Sequence, residues 1–132
     1  MKPETHTLNL KESLNEIENA VKTGLEGKQR TIGFHTSAAC ADLFEIYLHK
    51  IGVLPEDHMF KHEWLLSNKK IDEKLPSDFK GKKEIIPLVR AVENKRNNFC
   101  YGKKKSPEEL GELISDFNKV KAKFEELGVE IL

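Results

Sequence analysis

Apolar residues recur at helical spacing over four long stretches of this chain. The first begins after Asn9, a predicted N-cap, and ends near Leu25, just before Gly27. The second covers residues 28–52 and has the broadest apolar stripe. Its middle holds small residues that permit close approach between helices, namely Ala38, Ala39 and Ala41. We expect this second helix to be the central and most buried one.

The second half of the chain predicts two more long helices and a short one. Residues 62–66 predict a short helix, and residues 67–81 predict a loop with a turn or two because proline, serine and glycine lie among lysines. A long helix is expected over roughly 83–101. The sequence Ser106-Pro107-Glu108-Glu109 is typical of a helix start, with a serine cap, a proline at the first position and a capping-box glutamate. That last helix should continue to Gly128.

These elements predict an all-α fold, an antiparallel four-helix bundle with an additional short helix. Residues 1–8 form a loose lead-in in this interpretation. The chain of 132 residues is long enough for one domain with a sizeable core, so a single domain is expected over residues 1–132. Neither internal repeats nor the alternation typical of strands is visible.

Charge and composition narrow the classes of function. Lysine plus arginine and aspartate plus glutamate number 22 each, so no global field attracts nucleic acid, and any such binding must come from a local patch. No apolar run approaches a membrane span, and the amino terminus lacks the apolar core of a signal peptide, so we expect a cytoplasmic protein. Cys40 and Cys100 have no metal-like spacing and are expected to be reduced, packed thiols. No cofactor motif is visible.

Arg96 is the residue that most requires a functional explanation. It follows Val92 by four residues and precedes Phe99 by three, so a helix carries it on or beside an apolar face. A guanidinium there keeps its charge and must find a carboxylate, water, a ligand or a second subunit. Asn97 and Tyr101 follow within about a turn and a half, and they add polar and phenolic groups.

Two interpretations of Arg96 stay open from the residues alone. In the first, Arg96 binds an anion or a phosphate with Asn97 and Tyr101 beside it. In the second, it forms an ion pair with Asp42 or Glu45, which lie beside the apolar stripe of the second helix, either inside the subunit or across an interface.

Two further clusters carry weaker signals. His58 and His62 stand four residues apart, a spacing that can hold a metal on one helical face, but Pro55 suggests that His58 is in a loop and no third ligand is apparent. No metal site is therefore predicted. The basic run Lys103–Lys105 can contact phosphates, although such a run most often forms a solvated turn.

Three segments give the chain a resemblance to the HEPN family, the small helical domains of prokaryotic toxin–antitoxin and nucleotidyltransferase-partner systems. Residues 34–50 resemble the family's helix of small residues, and residues 61–66, Lys-His-Glu-Trp-Leu-Leu, are similar to its short third helix. Residues 96–102, Arg-Asn-Asn-Phe-Cys-Tyr-Gly, look like its signature of Arg-Asn followed by a histidine. Tyr101 stands where that histidine would be.

The resemblance implies a homodimer, because active HEPN members are metal-independent ribonucleases whose arginine and histidine meet across a dimer interface. A tyrosine with a pKa of about 10 is a poor proton acceptor at neutral pH. The resemblance therefore implies a non-catalytic role for this chain. We expect a domain that binds a nucleotide or RNA phosphate at Arg96, Asn97 and Tyr101, acts beside a nucleotidyltransferase or an antitoxin, and orients Arg96 with Asp42 or Glu45. The alternatives are a divergent ribonuclease that uses Arg96 with Tyr101 or another base, and a purely structural dimer.

Overall fold

The computed structural model describes residues 2–55, 58–75 and 78–131, and all regular secondary structure in these ranges is helical. The all-α prediction is therefore confirmed. The elements are α1 (Pro3–Thr23), α2 (Gln29–Lys50), a 3₁₀ helix (His62–Leu66), α3 (Asn68–Lys74), α4 (Lys82–Tyr101) and α5 (Pro107–Glu126).

Helix α2 is the central element, as the sequence predicted. It packs against α1, α4 and α5, and α4 also packs against α5. Its apolar side chains Ile32, Leu43 and Leu48 are fully buried. At Gly33, a β-carbon would lie 2.7 Å from Cβ of Phe99, so only glycine permits this approach of α2 to the end of α4. The close contact holds the C-terminal end of α4 directly against α2.

Helix α1 begins earlier than predicted. Pro3 occupies the start of the helix, where its missing N–H and fixed φ are tolerated. Residues 3–8 of the expected loose lead-in are helical, and His6 is buried against Asp42 of α2. The prediction was wrong because this first turn has no apolar stripe and is held by a polar contact with residues far along the chain.

Residues 67–81 also differ from the prediction. The segment expected to be a loop contains helix α3, which Ser67 caps by accepting the backbone N–H of Lys70 at 3.1 Å. Within α3, the side chain of Ile71 is buried. Pro76 and Ser77, on which the loop prediction partly depended, lie outside the described residues.

Other local predictions are confirmed. Ser106 and Glu109 form the expected capping box at the start of α5. Helix α4 runs over the expected span with Pro87 inside its second turn, and it ends at Tyr101 before Gly102. Cys40 and Cys100 are free and buried. No helix among the described residues is both long and apolar enough to cross a membrane.

Candidate functional site

Two polar clusters lie against helix α2. The first, the Arg96 cluster, consists of Ser37 of α2, His62 of the 3₁₀ helix, and Glu93 and Arg96 of α4. The second, the histidine–carboxylate cluster, consists of His6 of α1 and of Asp42, Glu45 and His49 of α2. Six of the thirteen residues that line one pocket beside α2 are histidines or carboxylates, so polar groups gather here around an otherwise apolar core.

Arg96 is half-buried on α4, and Asn97 beside it is exposed. Tyr101 is 74% exposed, and its ring centroid lies 5.8 Å from the guanidinium carbon of Arg30. Arg30 also donates from Nε to the carbonyl oxygen of Cys100 at 2.8 Å, which satisfies a free carbonyl at the end of α4. Arg96, Asn97 and Tyr101 thus lie along the end of α4, where Arg30 of α2 binds the backbone.

The expected orientation of Arg96 by Asp42 or Glu45 is not what the structure shows. Within the described residues, no hydrogen bond or ion pair joins Arg96 to either carboxylate, because both are already paired with histidines. The carboxylate whose field reaches Arg96 is Glu93, three residues earlier on the same helix. That separation places Glu93 and Arg96 on one face of α4.

Glu93 connects Arg96 to His62. Its Oε2 atom accepts hydrogen bonds from Nδ1 of His62 and from Oγ of Ser37, both at 2.8 Å. Burial raises the pKa of Glu93, but these two hydrogen bonds, with the charges of His62 and Arg96, outweigh burial and hold the pKa below its ordinary value. The carboxylate is therefore ionised at neutral pH and fixes the ring of His62, whose side chain remains 41% exposed.

The lowered pKa of Glu93 predicts a specific dependence of stability on pH. The unfolded state binds this proton more tightly than the folded state, so the stabilisation by Glu93 is present above its ordinary pKa of 4.5 and is lost as pH falls through the lower folded pKa. In urea unfolding at a series of pH values, the unmodified protein should exceed Glu93→Gln in stability at neutral pH, and the gap should shrink in acid. A gap that stays constant to the lowest pH would contradict this assignment.

The histidine–carboxylate cluster joins α1 to α2. Nδ1 of His6 donates to Oδ1 of Asp42 at 2.7 Å, and Nδ1 of His49 donates to the carbonyl oxygen of Leu54 at 2.7 Å. Both Nε2 atoms then point toward Oε2 of Glu45: His49 Nε2 lies 3.3 Å from it and His6 Nε2 is in direct contact with it. Burial raises the pKa of Asp42, which its bond to His6 opposes.

A pocket of about 350 Å³ opens onto both clusters. Its wall includes His6, Asp42 and Glu45 from one cluster and His62 from the other. The half-exposed side chain of Phe34 also lines it. A small polar ligand that enters this pocket therefore meets histidines and carboxylates from three separate elements.

Sequence reasoning missed His6, His49 and Glu93 as site residues. The four-residue spacing of Glu45 and His49 on a predicted helix was a signal that could have paired those two. His6 carried no such signal. The pair considered for a metal, His58 and His62, is not the group that the structure brings together: among the described residues that group is His6, Glu45 and His49.

The basic run Lys103–Lys105 is held at the C-terminal end of α4. The side chain of Gln29 donates to the carbonyl oxygens of Phe99 and Lys103 and accepts the backbone N–H of Lys105. Lys103 and Lys104 are exposed. This ordered basic link lies two to four residues beyond Tyr101.

Comparison with known proteins adds no assignment, since no family model, curated protein or solved structure matches the chain.

Proposed function

We propose that this chain is a HEPN-like four-helix bundle domain that binds a phosphate group of a nucleotide or of RNA at Arg96. One observation carries the proposal: Arg96 is half-buried, and its guanidinium has no hydrogen bond or ion pair within the described part of the chain. The other two arginines are both used in the fold. Arg30 donates to the carbonyl oxygen of Cys100, and Arg90 donates to the carbonyl oxygen of Leu65, each at 2.8 Å.

The surroundings of Arg96 favour an anion over a further protein contact. Glu93 lies close enough to steady the guanidinium, but its Oε2 already accepts from His62 and Ser37. The five N–H donors of arginine fit two phosphate oxygens at once. Since Nδ1 of His62 is committed to Glu93, its Nε2 is the atom that can face the same phosphate.

Asn97 and Tyr101 extend the proposed site along α4. Both are exposed, and the Tyr101 ring already lies beside the Arg30 guanidinium. An exposed aromatic ring next to bound phosphates is a platform for stacking a base, worth roughly 1–3 kcal/mol per base. Lys103 and Lys104 add positive charge at the same helix end.

The resemblance to HEPN domains supports a homodimer that acts in the cytoplasm beside a nucleotidyltransferase or an antitoxin. Half-exposed apolar side chains are available for such a contact: Phe34 and Met59 both border the pocket and are each 48% exposed.

Binding of a short single-stranded RNA and of ADP, measured by fluorescence anisotropy and calorimetry, tests the proposal. Arg96→Ala is expected to weaken binding by roughly 10-fold to 100-fold, since hydrogen bonds to charged groups contribute about 1.5–3 kcal/mol. Lys119→Ala removes the same charge from an exposed position on α5 and should bind nearly as the unmodified protein does. Equal affinity of the Arg96→Ala and unmodified proteins would contradict the site. Weaker dimerisation in Arg96→Ala with unchanged binding would favour the structural dimer instead.

A ribonuclease is the second candidate, and the hydrogen bond between Glu93 and His62 favours it. Tyr101 stands in the family's histidine position, but His62, whose ring is fixed by the ionised carboxylate of Glu93, shares that carboxylate with Arg96. In this mechanism Nε2 of His62 takes the proton of the ribose 2′-hydroxyl as that oxygen attacks phosphorus, and the 5′-oxygen leaves with a proton from solvent. Arg96 stabilises the added negative charge on the phosphate.

Product analysis of the same RNA separates the two candidates. A ribonuclease should yield products with a 2′,3′-cyclic phosphate, and His62→Ala should lose cleavage while it retains RNA binding. Intact RNA after incubation with the unmodified protein would exclude the ribonuclease and leave the binding function.

A further inference from the structure

The histidine–carboxylate cluster presents three electron-pair donors to one point. The carbonyl oxygen of Leu54 only accepts hydrogen bonds, so Nδ1 of His49 carries a proton, and Nε2 offers a lone pair whenever the ring is neutral. The same reasoning applies to His6, whose Nδ1 donates to the Asp42 carboxylate. One ligand atom from each of His6, Glu45 and His49 lies within 4.8 Å of the other two, and Oε2 of Glu45 is the atom nearest both Nε2 atoms. Three lone pairs that converge in a buried place repel one another unless a cation lies between them.

His6 gives a second observation that points to a ligand. Its side chain is 7% exposed, and its Nε2 atom is buried without a hydrogen-bond partner although it touches Oε2 of Glu45. A buried nitrogen without a hydrogen-bond partner costs free energy, since it has lost its hydrogen bonds to water. Nearly all buried polar atoms in folded proteins therefore have a partner.

We propose that this cluster binds one divalent transition-metal ion of the zinc class through Nε2 of His6, Nε2 of His49 and Oε2 of Glu45. Two imidazoles and one carboxylate form a ligand set that zinc takes in proteins. Metal–ligand bonds of about 2.0–2.2 Å around a tetrahedral ion place ligand atoms about 3.3–3.6 Å apart. The distance of 3.3 Å between His49 Nε2 and Glu45 Oε2 agrees with this. One ion satisfies all three atoms and replaces the direct contact of His6 with Glu45.

Each of the three ligand side chains makes a second hydrogen bond on the side away from the proposed ion, as metal ligands in proteins usually do. The Asp42 carboxylate holds the ring of His6, and the carbonyl oxygen of Leu54 holds the ring of His49. The other oxygen of Glu45, Oε1, accepts the backbone N–H of Phe60 at 2.6 Å. Each ligand is therefore oriented by a second hydrogen bond that fixes its tautomer or rotamer.

The pocket supplies a route to the site and an open coordination position. His6 and Glu45 both line the pocket of about 350 Å³, so an ion can enter from solvent without unfolding the helices. The described residues offer three ligands, which leaves the fourth position for water or for an anionic group bound in the pocket. The ion would also fasten the first turns of α1 to the second half of α2.

Metal titration of the full chain, stripped of metal with a chelator, tests this site. Calorimetry should show one Zn²⁺ bound per chain, and Co²⁺ should give the intense visible absorption of a four-coordinate ion. His49→Ala and His6→Ala should each weaken binding by more than 100-fold, and Asp42→Asn, which removes an orienting group, should weaken it by about 10-fold to 100-fold. His35→Ala serves as the matched control, because Nδ1 of His35 bonds to Ser13 outside the cluster, and it should bind normally.

Several results would overturn the proposal. Absence of Zn²⁺ and Co²⁺ binding by the unmodified protein would show that protons, not a metal ion, hold the cluster. Loss of binding in His62→Ala with normal binding in His49→Ala would place the metal elsewhere. If an alanine variant fails to fold by circular dichroism, His49→Gln keeps the size of the side chain and should still lose the Co²⁺ spectrum. None of these readouts involves RNA, so the outcome is independent of the proposed phosphate site.

Discussion

Replacement of Glu45 with alanine is expected to lower the free energy of unfolding by about 3–5 kcal/mol, the usual cost of removing one partner from a buried charged pair. Glu45 is 2% exposed, and its carboxylate contacts three separate parts of the chain. Its Oε1 accepts the backbone N–H of Phe60, and its Oε2 contacts the rings of His6 and His49. Truncation leaves the buried N–H of Phe60 without its acceptor and removes the contacts of Glu45 with both rings, and an unsatisfied buried donor alone costs roughly 1–3 kcal/mol.

Urea unfolding in the presence of EDTA measures this effect without any contribution from bound metal. Glu16→Ala removes the same atoms from an exposed position on α1 and should stay within about 0.5 kcal/mol of the unmodified protein. Glu45→Gln keeps an acceptor for the N–H of Phe60 and should fall between the two. A Glu45→Ala variant as stable as Glu16→Ala would mean that the cluster contributes nothing to the fold.

Phe44→Ala is the second substitution with a large expected effect, a loss of about 3–5 kcal/mol. Phe44 is fully buried on α2. Its ring stacks on Phe60 with centroids 4.6 Å apart and packs against Phe124 of α5 at 5.9 Å. Alanine removes the ring from the point where α2, α5 and the segment before the 3₁₀ helix meet, and a cavity remains.

Phe34→Ala is the matched control for this substitution. It makes the same chemical change on the same helix, but Phe34 is 48% exposed. Thermal or denaturant unfolding should show a loss of less than about 1 kcal/mol for the control. Similar losses for the two variants would contradict the description of Phe44 as a core residue.

The long helices could be predicted because their signals are local. Apolar residues recur at helical spacing, and the capping box at Ser106 and the glycine after α4 mark ends that depend only on neighbouring residues. Helix α3 was missed because lysines and polar residues dominate residues 67–74, and its stability comes from the Ser67 cap and the burial of Ile71.

The candidate site was predicted only in part, because its contacts join distant segments. The sequence singled out Asp42 and Glu45 as carboxylates beside the apolar stripe, but their partner His6 lies 36 residues before Asp42. With no apolar periodicity in residues 1–8, nothing local showed that His6 would be buried. Glu93 and Arg96 stand three residues apart on a predicted helix, so the sequence alone could have identified Glu93 as a neighbour of Arg96.

The central claim is that Arg96 binds a phosphate. The NMR resonance of the Arg96 Nε–H group tests this claim most directly. In ¹⁵N-labelled protein, the three arginine Nε–H resonances can be assigned with Arg30→Lys, Arg90→Lys and Arg96→Lys variants. Titration with ADP or a short single-stranded RNA should shift the Arg96 resonance most, because Arg30 and Arg90 already donate to backbone carbonyls. An Arg96 resonance that stays in place while the ligand binds would contradict the proposed function.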